Sequence, residues 1–397
     1  MASDTQEVAR TFINTAMDRW RSADTAEAVQ REEGQKDLRF LNLEQWDPQD
    51  ERERNDRPTL VIDQIGEPFR QLIGRQKAAK PSILAVPVDS GADVDTADVF
   101  QGLIRHIETK GHAKHARDEA FKAAVAVGFG YYRLVAEYEN QGDTQAPLDE
   151  LFDQSIRYQP IENPMSVFRD PSCPIHEPEK CRFAFIVEDI PKSEFELRYP
   201  DAVSTSQEAF ESIGLTMPEW YPEDSVRVAD YFYLEPVLGR EIALVRGLTT
   251  GAEFTVFADE IPADTEVIQK RRLEFNQVRL AKISGTEILE GNENKTAGQI
   301  WPGRFIPIVP VWGESLVVEG KRTLRGMVRS ARDPQRMYNY QCSELVYELA
   351  LSPKSKVLAS VESIEGLEDM WKEAARMPFP ALLTKAFDAE GRNLFPP

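Results

Sequence analysis

Arg322, Arg325, Arg329, Arg332 and Arg336 recur at steps of three and four residues, the spacing that sets side chains on one face of a helix. Five guanidinium groups in a row over about four turns would make a positive ridge long enough to follow a polyanion such as a phosphate backbone. Lys321 extends the row, and Asp333 is the one acid inside it. A solvated helix face, or half of an ion-pair ladder between subunits, has the same pattern, and spacing alone does not choose among the three. Asp93, Asp95 and Asp98 could hold the metal of a divalent-cation-dependent nuclease, but Asp95 is also well placed to cap a helix. His106, His112 and His115 lie close in sequence without a helical H-E-x-x-H or a suitable cysteine, and read as surface histidines. Gly128-x-Gly130 follows a helix and lacks the third glycine of a dinucleotide fingerprint, so it reads as a structural turn. The chain contains no GxxxxGK followed by Ser or Thr and no glycine-flanked serine elbow, so neither ATP hydrolysis nor esterase chemistry is expected. The expectation is no catalytic residue, no metal and no cofactor.

The chain as a whole opposes a general nucleic-acid coat. Its 397 residues carry a formal charge of -20, and residues 188–235 hold twelve acids against Lys192, Arg198 and Arg227. Duplex binding draws most of its free energy from Lys and Arg neutralising phosphates, so any contact with DNA must be local. With 41% apolar and 29% charged residues, two or three domains with a substantial core are expected. No run approaches the roughly 20 apolar residues of a membrane helix, and MASDTQEVARTF lacks the basic and apolar regions of a signal peptide. The protein is therefore expected to stay in the cytoplasm where it is made, or in a particle assembled there. Cys173, Cys181 and Cys342 form no CxxC pair and read as incidental.

The elements that would position these residues follow from periodicity. Val8, Phe12, Ala16 and Trp20 recur every fourth residue, the mark of a surface helix with a narrow apolar edge. After the charged loop DPQDERERND, RPTLVIDQIGEPFRQLIGRQ reads as a short apolar strand leading into a helix, and residues 83–88 alternate as a strand would. VDTADVFQGLIRHIETK predicts a capped helix with Phe100, Leu103, Ile104 and Ile107 inward. The next helix bears a small-residue stripe, Ala113, Ala116, Ala120, Ala124 and Val127, suited to close approach of another helix. From YYRLVAEYE to about residue 258 the signal is strands and turns, interrupted by a short proline-bounded helix, PKSEFELRYP. A compact β-rich stretch, or a protruding hairpin, covers about 266–316. The arginine helix follows and runs on to Pro353, with Asp333-Pro334 predicting two helices that meet there.

Several blocks resemble a known family. RFLNLEQWDPQDERERNDRPTLVIDQIGEPFRQLIGRQKAAKPSILAVPVD resembles an N-terminal signature of portal proteins of short-tailed bacteriophages: a charged loop, Arg-Pro, an apolar strand and a helix ending in Gly-x-Gln-x-x-x-x-x-Pro. FQGLIRHIE, HARDEAFKAAVAVGFGYYRL and IRYQPIENPMSVFRDPS resemble the family's next block, and RFIPIVPVWGESLVVEGKRTLRGMVRSARDPQRMYNY resembles a later one. Together they cover most of residues 38–352 in collinear order.

The resemblance implies an α+β portal-type subunit with a mixed α/β wing, long stem helices and a small β-rich clip. Such subunits assemble into a homo-oligomeric ring, usually of twelve copies, at one vertex of the capsid. Double-stranded DNA passes non-specifically through its channel during packaging and ejection. The implied partners are the major capsid protein, the large terminase subunit and a head-to-tail adaptor; no membrane is involved. The implied location is the virion's portal vertex, after assembly in the host cytoplasm. Mapped onto this chain, the wing takes residues 1–265, the clip 266–316 and the stem helix region 317–352. Residues 353–397 return to the wing and channel lining, with a crown expected beyond 397. In a ring, Arg322, Arg325, Arg329, Arg332 and Arg336 would form stacked belts meeting DNA or the neighbouring subunit, while Lys282, Glu287, Glu290 and Trp301 in the clip would dock partners. Two other classes stand beside this expectation: a metal-dependent nuclease built on the Asp93 region, and an acidic scaffold that meets no nucleic acid.

Overall fold

The computed structural model describes residues 2–54, 57–79, 82–87, 93–138, 152–200, 225–247, 253–262 and 265–351, with Ala202, Trp220, Ile364, residues 366–373 and Phe387. It divides into two compact units, one of Met1–Lys36 with Gln71–Met327, the other of Asp37–Arg70 with Val328–Pro397. The expected return to the wing over 353–397 lies largely outside the described residues.

In the first unit, helix α1 (Ala2–Leu41) supplies the core's backbone of large side chains. Ile13, Ala16, Met17, Trp20 and Ala23, at steps of three and four, are buried against a seven-stranded antiparallel sheet. Of the expected narrow edge, Ala16 and Trp20 are buried and Phe12 is half-buried against this core, while Val8 stays exposed. The sheet is formed by β3 (Val167–Arg169), β4 (Phe183–Pro191), β5 (Ser225–Gly247), β7 (Thr265–Ile283) and β8 (Ile288–Glu290) in that order, with β6 (Glu253–Phe257) on β5 and β9 (Gln299–Ile300) on β7. Period-two alternation along β5 serves two cores at once. Ala229, Tyr231 and Tyr233 face α1, while Val226 and Val228 pack with Ile190, Phe195 and Leu289 on the opposite face. Phe185 lies opposite Tyr231 across the β4–β5 ladder, and their rings stack at 4.5 Å; Trp20 meets Trp220 edge-on at 4.9 Å. Phe195 comes from the proline-bounded helix α6 (Lys192–Arg198). Because β7 lies along β5 from Thr265 to Ile283, residues on both sides of the expected 265/266 boundary share one sheet.

A smaller antiparallel sheet, β10 (Ile308–Trp312), β1 (Phe129–Tyr138) and β2 (Gln154–Pro160), packs beside helix α5 (Ala113–Val127). The α5 stripe of Ala113, Ala116, Ala120, Ala124 and Val127 is buried. It admits β-structure and loop backbone as well as helix α4 (Val94–Lys110). Gly128 ends α5 at φ 100°, a conformation that favours glycine at a helix C-terminus. A Cβ on Gly326 would lie 2.3 Å from the Ala126 carbonyl oxygen and 2.4 Å from that of Val125, both backbone atoms of α5 and not the flexible end of a side chain.

Three local expectations are corrected. Helix α4 is capped by Asp93, not Asp95: the Asp93 carboxylate accepts from Asp95 N–H at 3.1 Å and Thr96 O–H at 2.9 Å. None of its residues is buried, and Phe100 and Leu103 are 56% and 51% exposed, because no described element covers that side. Residues 82–87 join no sheet, with Leu84 and Val86 exposed, so alternation alone did not secure a partner strand.

Replacing Gly326 by Ala should lower stability by about 1–3 kcal/mol through overpacking against backbone. Thermal unfolding of the variant checks this; an unchanged midpoint would show that the contact has room to spare.

Candidate functional site

The arginine row is split between two kinds of structure. Arg322 and Arg325 lie on β12 (Lys321–Arg325), which pairs antiparallel with β11 (Glu314–Val318) around Glu319 and Gly320. Both turn residues have positive φ, 51° and 76°, as a tight hairpin with right-handed strand twist requires. Helix α7 (Met327–Leu351) begins only afterwards, so Arg329, Arg332 and Arg336 alone share a helix. A Glu-Gly pair between two β-rich runs was the overlooked signal; the three-and-four spacing was met by coincidence across a strand, a glycine and a helix.

Within the first unit, Arg322 donates to the Cys173 carbonyl at 3.2 Å. Arg325 makes a two-pronged ion pair with Glu314 across the hairpin at 2.8 and 3.0 Å, and its hydrogen bonds hold the Glu314 carboxyl below the usual carboxylate range. Both partners are solvent-exposed, so this pair contributes little stability by itself.

In the second unit the basic side chains are built into the fold. Asp37 is wholly buried and lies 2.8 Å from Arg329 and 3.3 Å from Arg332, while Arg336 reaches Asp47 at 3.1 Å. One turn on, α7 presents Gln335, Asn339 and Ser343 at four-residue steps, all buried. Facing them runs extended chain at 60–64. Leu60 N–H donates to Ser343 Oγ, Ile62 N–H to Asn339 Oδ1 and Gln64 N–H to Gln335 Oε1, at 3.0, 3.0 and 3.2 Å. Gln335 returns a bond to the Ile62 carbonyl at 2.6 Å, and Asn339 donates to Gln45 at 2.6 Å. Four residues of helix advance about 6 Å and two residues of strand about 6.6 Å, so the two periods match over this short length. Arg54, 5% exposed, lies over the rings of both Trp46 and Tyr340, at 5.1 and 4.9 Å, and pairs with Glu344 at 2.9 Å.

Pro334 lies inside α7, where two helices meeting were expected. Anchors on both flanks, Arg329 and Arg332 before it and Gln335, Asn339 and Ser343 after it, hold the helix continuous against a proline cost of about 3 kcal/mol. Sequence reasoning missed this buried polar face, although Gln335, Asn339 and Ser343 form a four-residue polar period that could have revealed it.

The four residues expected to dock partners lie along the C-terminal end of β7 and its neighbours. Lys282 stands 3.6 Å from Asp230 and 3.7 Å from Glu290; Asp230 also pairs with Arg133 at 2.8 Å, and Glu290 accepts from the Tyr199 hydroxyl at 2.7 Å. Burial and that carboxylate both push the Tyr199 hydroxyl above its ordinary pKa. Glu287 sits at the β7–β8 turn, its carbonyl accepting from Ser284 N–H at 3.1 Å. Trp301 packs edge-on against Phe232 at 5.7 Å. Lys282 and Glu290 are thus brought into one charged network, and Trp301 packs on Phe232.

Among the described residues, no group of three His, Cys, Asp or Glu side chains could hold a metal ion, and no helix is long and apolar enough to cross a membrane. His106, His112 and His115 are exposed.

Two substitutions test the second unit. Asp37→Asn takes the buried carboxylate away from two largely buried guanidinium groups and should cost about 3–5 kcal/mol. Asn339→Leu orphans the Ile62 N–H and the Gln45 side-chain Oε1 and should cost about 2–4 kcal/mol. Denaturant unfolding measures both, and a near-neutral result for either would remove its bond from the account.

The model of the phage P22-like portal protein family matches residues 17–396. A portal protein of Acyrthosiphon pisum secondary endosymbiont phage 1 is 25% identical over 350 residues, covering 86% of this chain and 47% of that relative. The chain therefore spans about half the length of the relative it matches. A family match over nearly every residue, across both compact units, identifies the chain as a member of the phage P22-like portal protein family, a structural family of the phage head-to-tail connector and not an enzyme family.

Proposed function

We propose that copies of this chain close into a ring, wide enough to surround a double helix, at a single vertex of a phage capsid. The genome would be pumped in and later released through the central passage. A packaging motor, the large terminase subunit, would dock on the outer face first and a tail adaptor after filling; the major capsid protein would hold the rim. The observation that carries this reading is the collinear family match over residues 17–396. In this reading residues 1–265 belong to the wing, 266–316 to the clip, 317–352 to the stem region and 353–397 to the return toward the channel. Lys282, Glu287, Glu290 and Trp301 would serve docking, Lys282 and Glu290 as a charged pair already set by Asp230 and Tyr199.

The arginines enter this proposal mainly as builders of the subunit. Arg325, Arg329, Arg332 and Arg336 each face a carboxylate of their own chain, which cancels most of the field a phosphate would feel. A passage with muted positive charge suits DNA that must slide, since strong uniform attraction would hold it in place.

End-on electron micrographs of the purified protein should show annular particles; a monomer persisting at high concentration would overturn the ring. A charge swap separates the two roles of the hairpin arginine. Arg325→Glu combined with Glu314→Arg keeps the ion pair and should package DNA near the wild-type level, whereas loss of packaging in well-formed rings would make Arg325 a DNA contact.

A further inference from the structure

The turn between α4 and α5 borders a cavity of about 610 Å³ that the portal role leaves unused, lined wholly by residues of the first compact unit. Gly111 ends α4 with its N–H on the Ile107 carbonyl at 2.8 Å, and its own carbonyl accepts from Tyr158 N–H at 2.9 Å, so β2 holds the turn in place. Arg117 pairs with Glu108 across the turn and lies over the Tyr158 ring at 5.6 Å. Gln76 and Lys77, near the end of helix α3 (Gly66–Ala79), form another wall. The exposed His112 and His115, which the sequence offered as surface histidines, line it too.

Two acceptors in this lining are unanswered. Asp118 is 7% exposed, and among the described residues nothing pairs with its carboxylate; the Gln76 Oε1 is buried and likewise has no partner. Such groups are costly to hold away from water without donors, so they call for N–H groups from outside the chain. Elsewhere the same lining calls for negative charge. Lys77 and Lys114 have no ion pair among the described residues, and His112 begins α5 without a side-chain capping bond. The His112 carbonyl takes the N–H groups of His115 and Ala116 at 3.1 and 3.4 Å, which leaves those of Ala113 and Lys114 for a ligand. A bare cation would meet two lysines, and a bare anion would meet Asp118. One molecule with donors at one end and an anion at the other answers both. Ala113 and Asp118 are about 7.5 Å apart along the helix axis, which with the reach of the lysines leaves room for a sugar between the two ends.

We propose that this cavity binds a guanosine monophosphate, with its phosphate on Lys77, Lys114 and the free N–H groups of α5 and its base against Asp118 and Gln76. Guanine presents N1–H and the N2 amino group side by side on its pairing edge, the donor pair that the two oxygens of one carboxylate accept. Adenine presents there a single amino group beside an acceptor nitrogen, which the Asp118 carboxylate repels. Imidazole rings such as those of His112 and His115 can take the flat face of a base. The cavity volume lies within the usual range for small-molecule sites. Every group in the site comes from one subunit, so binding does not depend on a ring having closed.

The test is isothermal titration of the full chain with guanosine 5′-monophosphate, adenosine 5′-monophosphate and inorganic phosphate at matched ionic strength. The guanosine nucleotide should bind at one site per chain, about tenfold or more tighter than either of the others. Absence of binding, equal affinity for the adenosine nucleotide, or inorganic phosphate binding as tightly would each overturn the proposal. Asp118→Asn keeps the side chain's shape and puts a donor where one acceptor was. It should weaken the guanosine nucleotide by about tenfold or more and leave inorganic phosphate unchanged; an unaltered guanosine affinity would also overturn the assignment. Should that variant not fold, the selectivity of the wild-type chain decides alone. Titration reads subunits whether or not they have assembled, so its failure is distinguishable from failure to form a ring.

Discussion

Three backbone N–H groups at alternate positions of an extended segment meet three polar side chains at every fourth position of a helix, and the second compact unit depends on that meeting. An extended chain beside a helix has no ladder partner, and burying its amides without acceptors would cost about 1–3 kcal/mol each. Gln335, Asn339 and Ser343 supply those acceptors, and Gln335 and Trp46 answer the Ile62 and Leu60 carbonyls. The match of periods drifts by roughly half an ångström per step, which limits the device to a few residues and explains why the segment stays short. Around it, Asp37 with Arg329 and Arg332, and Arg54 with Glu344, are charges taken out of water in pairs. Such pairs add modestly to stability when intact and are costly to break, so they act chiefly to fix one arrangement.

Charge in this protein is therefore organised by neighbour. A net charge of -20 would suggest general repulsion of polyanions, and a row of arginines would suggest a local exception. The structure answers most of that row with carboxylates close in space and distant in sequence, such as Asp37 for Arg329. Among the described residues, the β11–β12 hairpin keeps Arg322 at the surface beside the exposed Val317 and Val318.

The legible parts of the fold were those whose signal is local. Trp20 and its stripe, the small residues of α5, the proline-bounded α6 and the alternation of β4 and β5 each declare an element within a few turns or strand repeats. The family signature was legible because several such elements stand in a fixed order. The arginine row was misread because spacing cannot tell a helix from a strand, turn and helix in succession, and Glu319-Gly320 was the local clue against it. Phe100 and Leu103 have helical periodicity, but periodicity does not provide something to pack against. The buried acceptors on α7 lie beyond such reasoning for a different cause: their partners are backbone amides, which every residue carries and no sequence distinguishes.

Sequence distance also has a temporal meaning. Asp37 and Arg329 are 292 positions apart, and Ile62 and Asn339 are 277. On a ribosome, α1 and the first segment emerge long before the helix that completes them, so this joint must wait until nearly the whole described chain has been synthesised. Contacts this non-local carry a large loop-closure cost and form late. Until then Leu60, Ile62 and their unpaired amides resemble an open strand edge, the kind of surface that holding chaperones bind and that neighbouring nascent chains can capture by mistake.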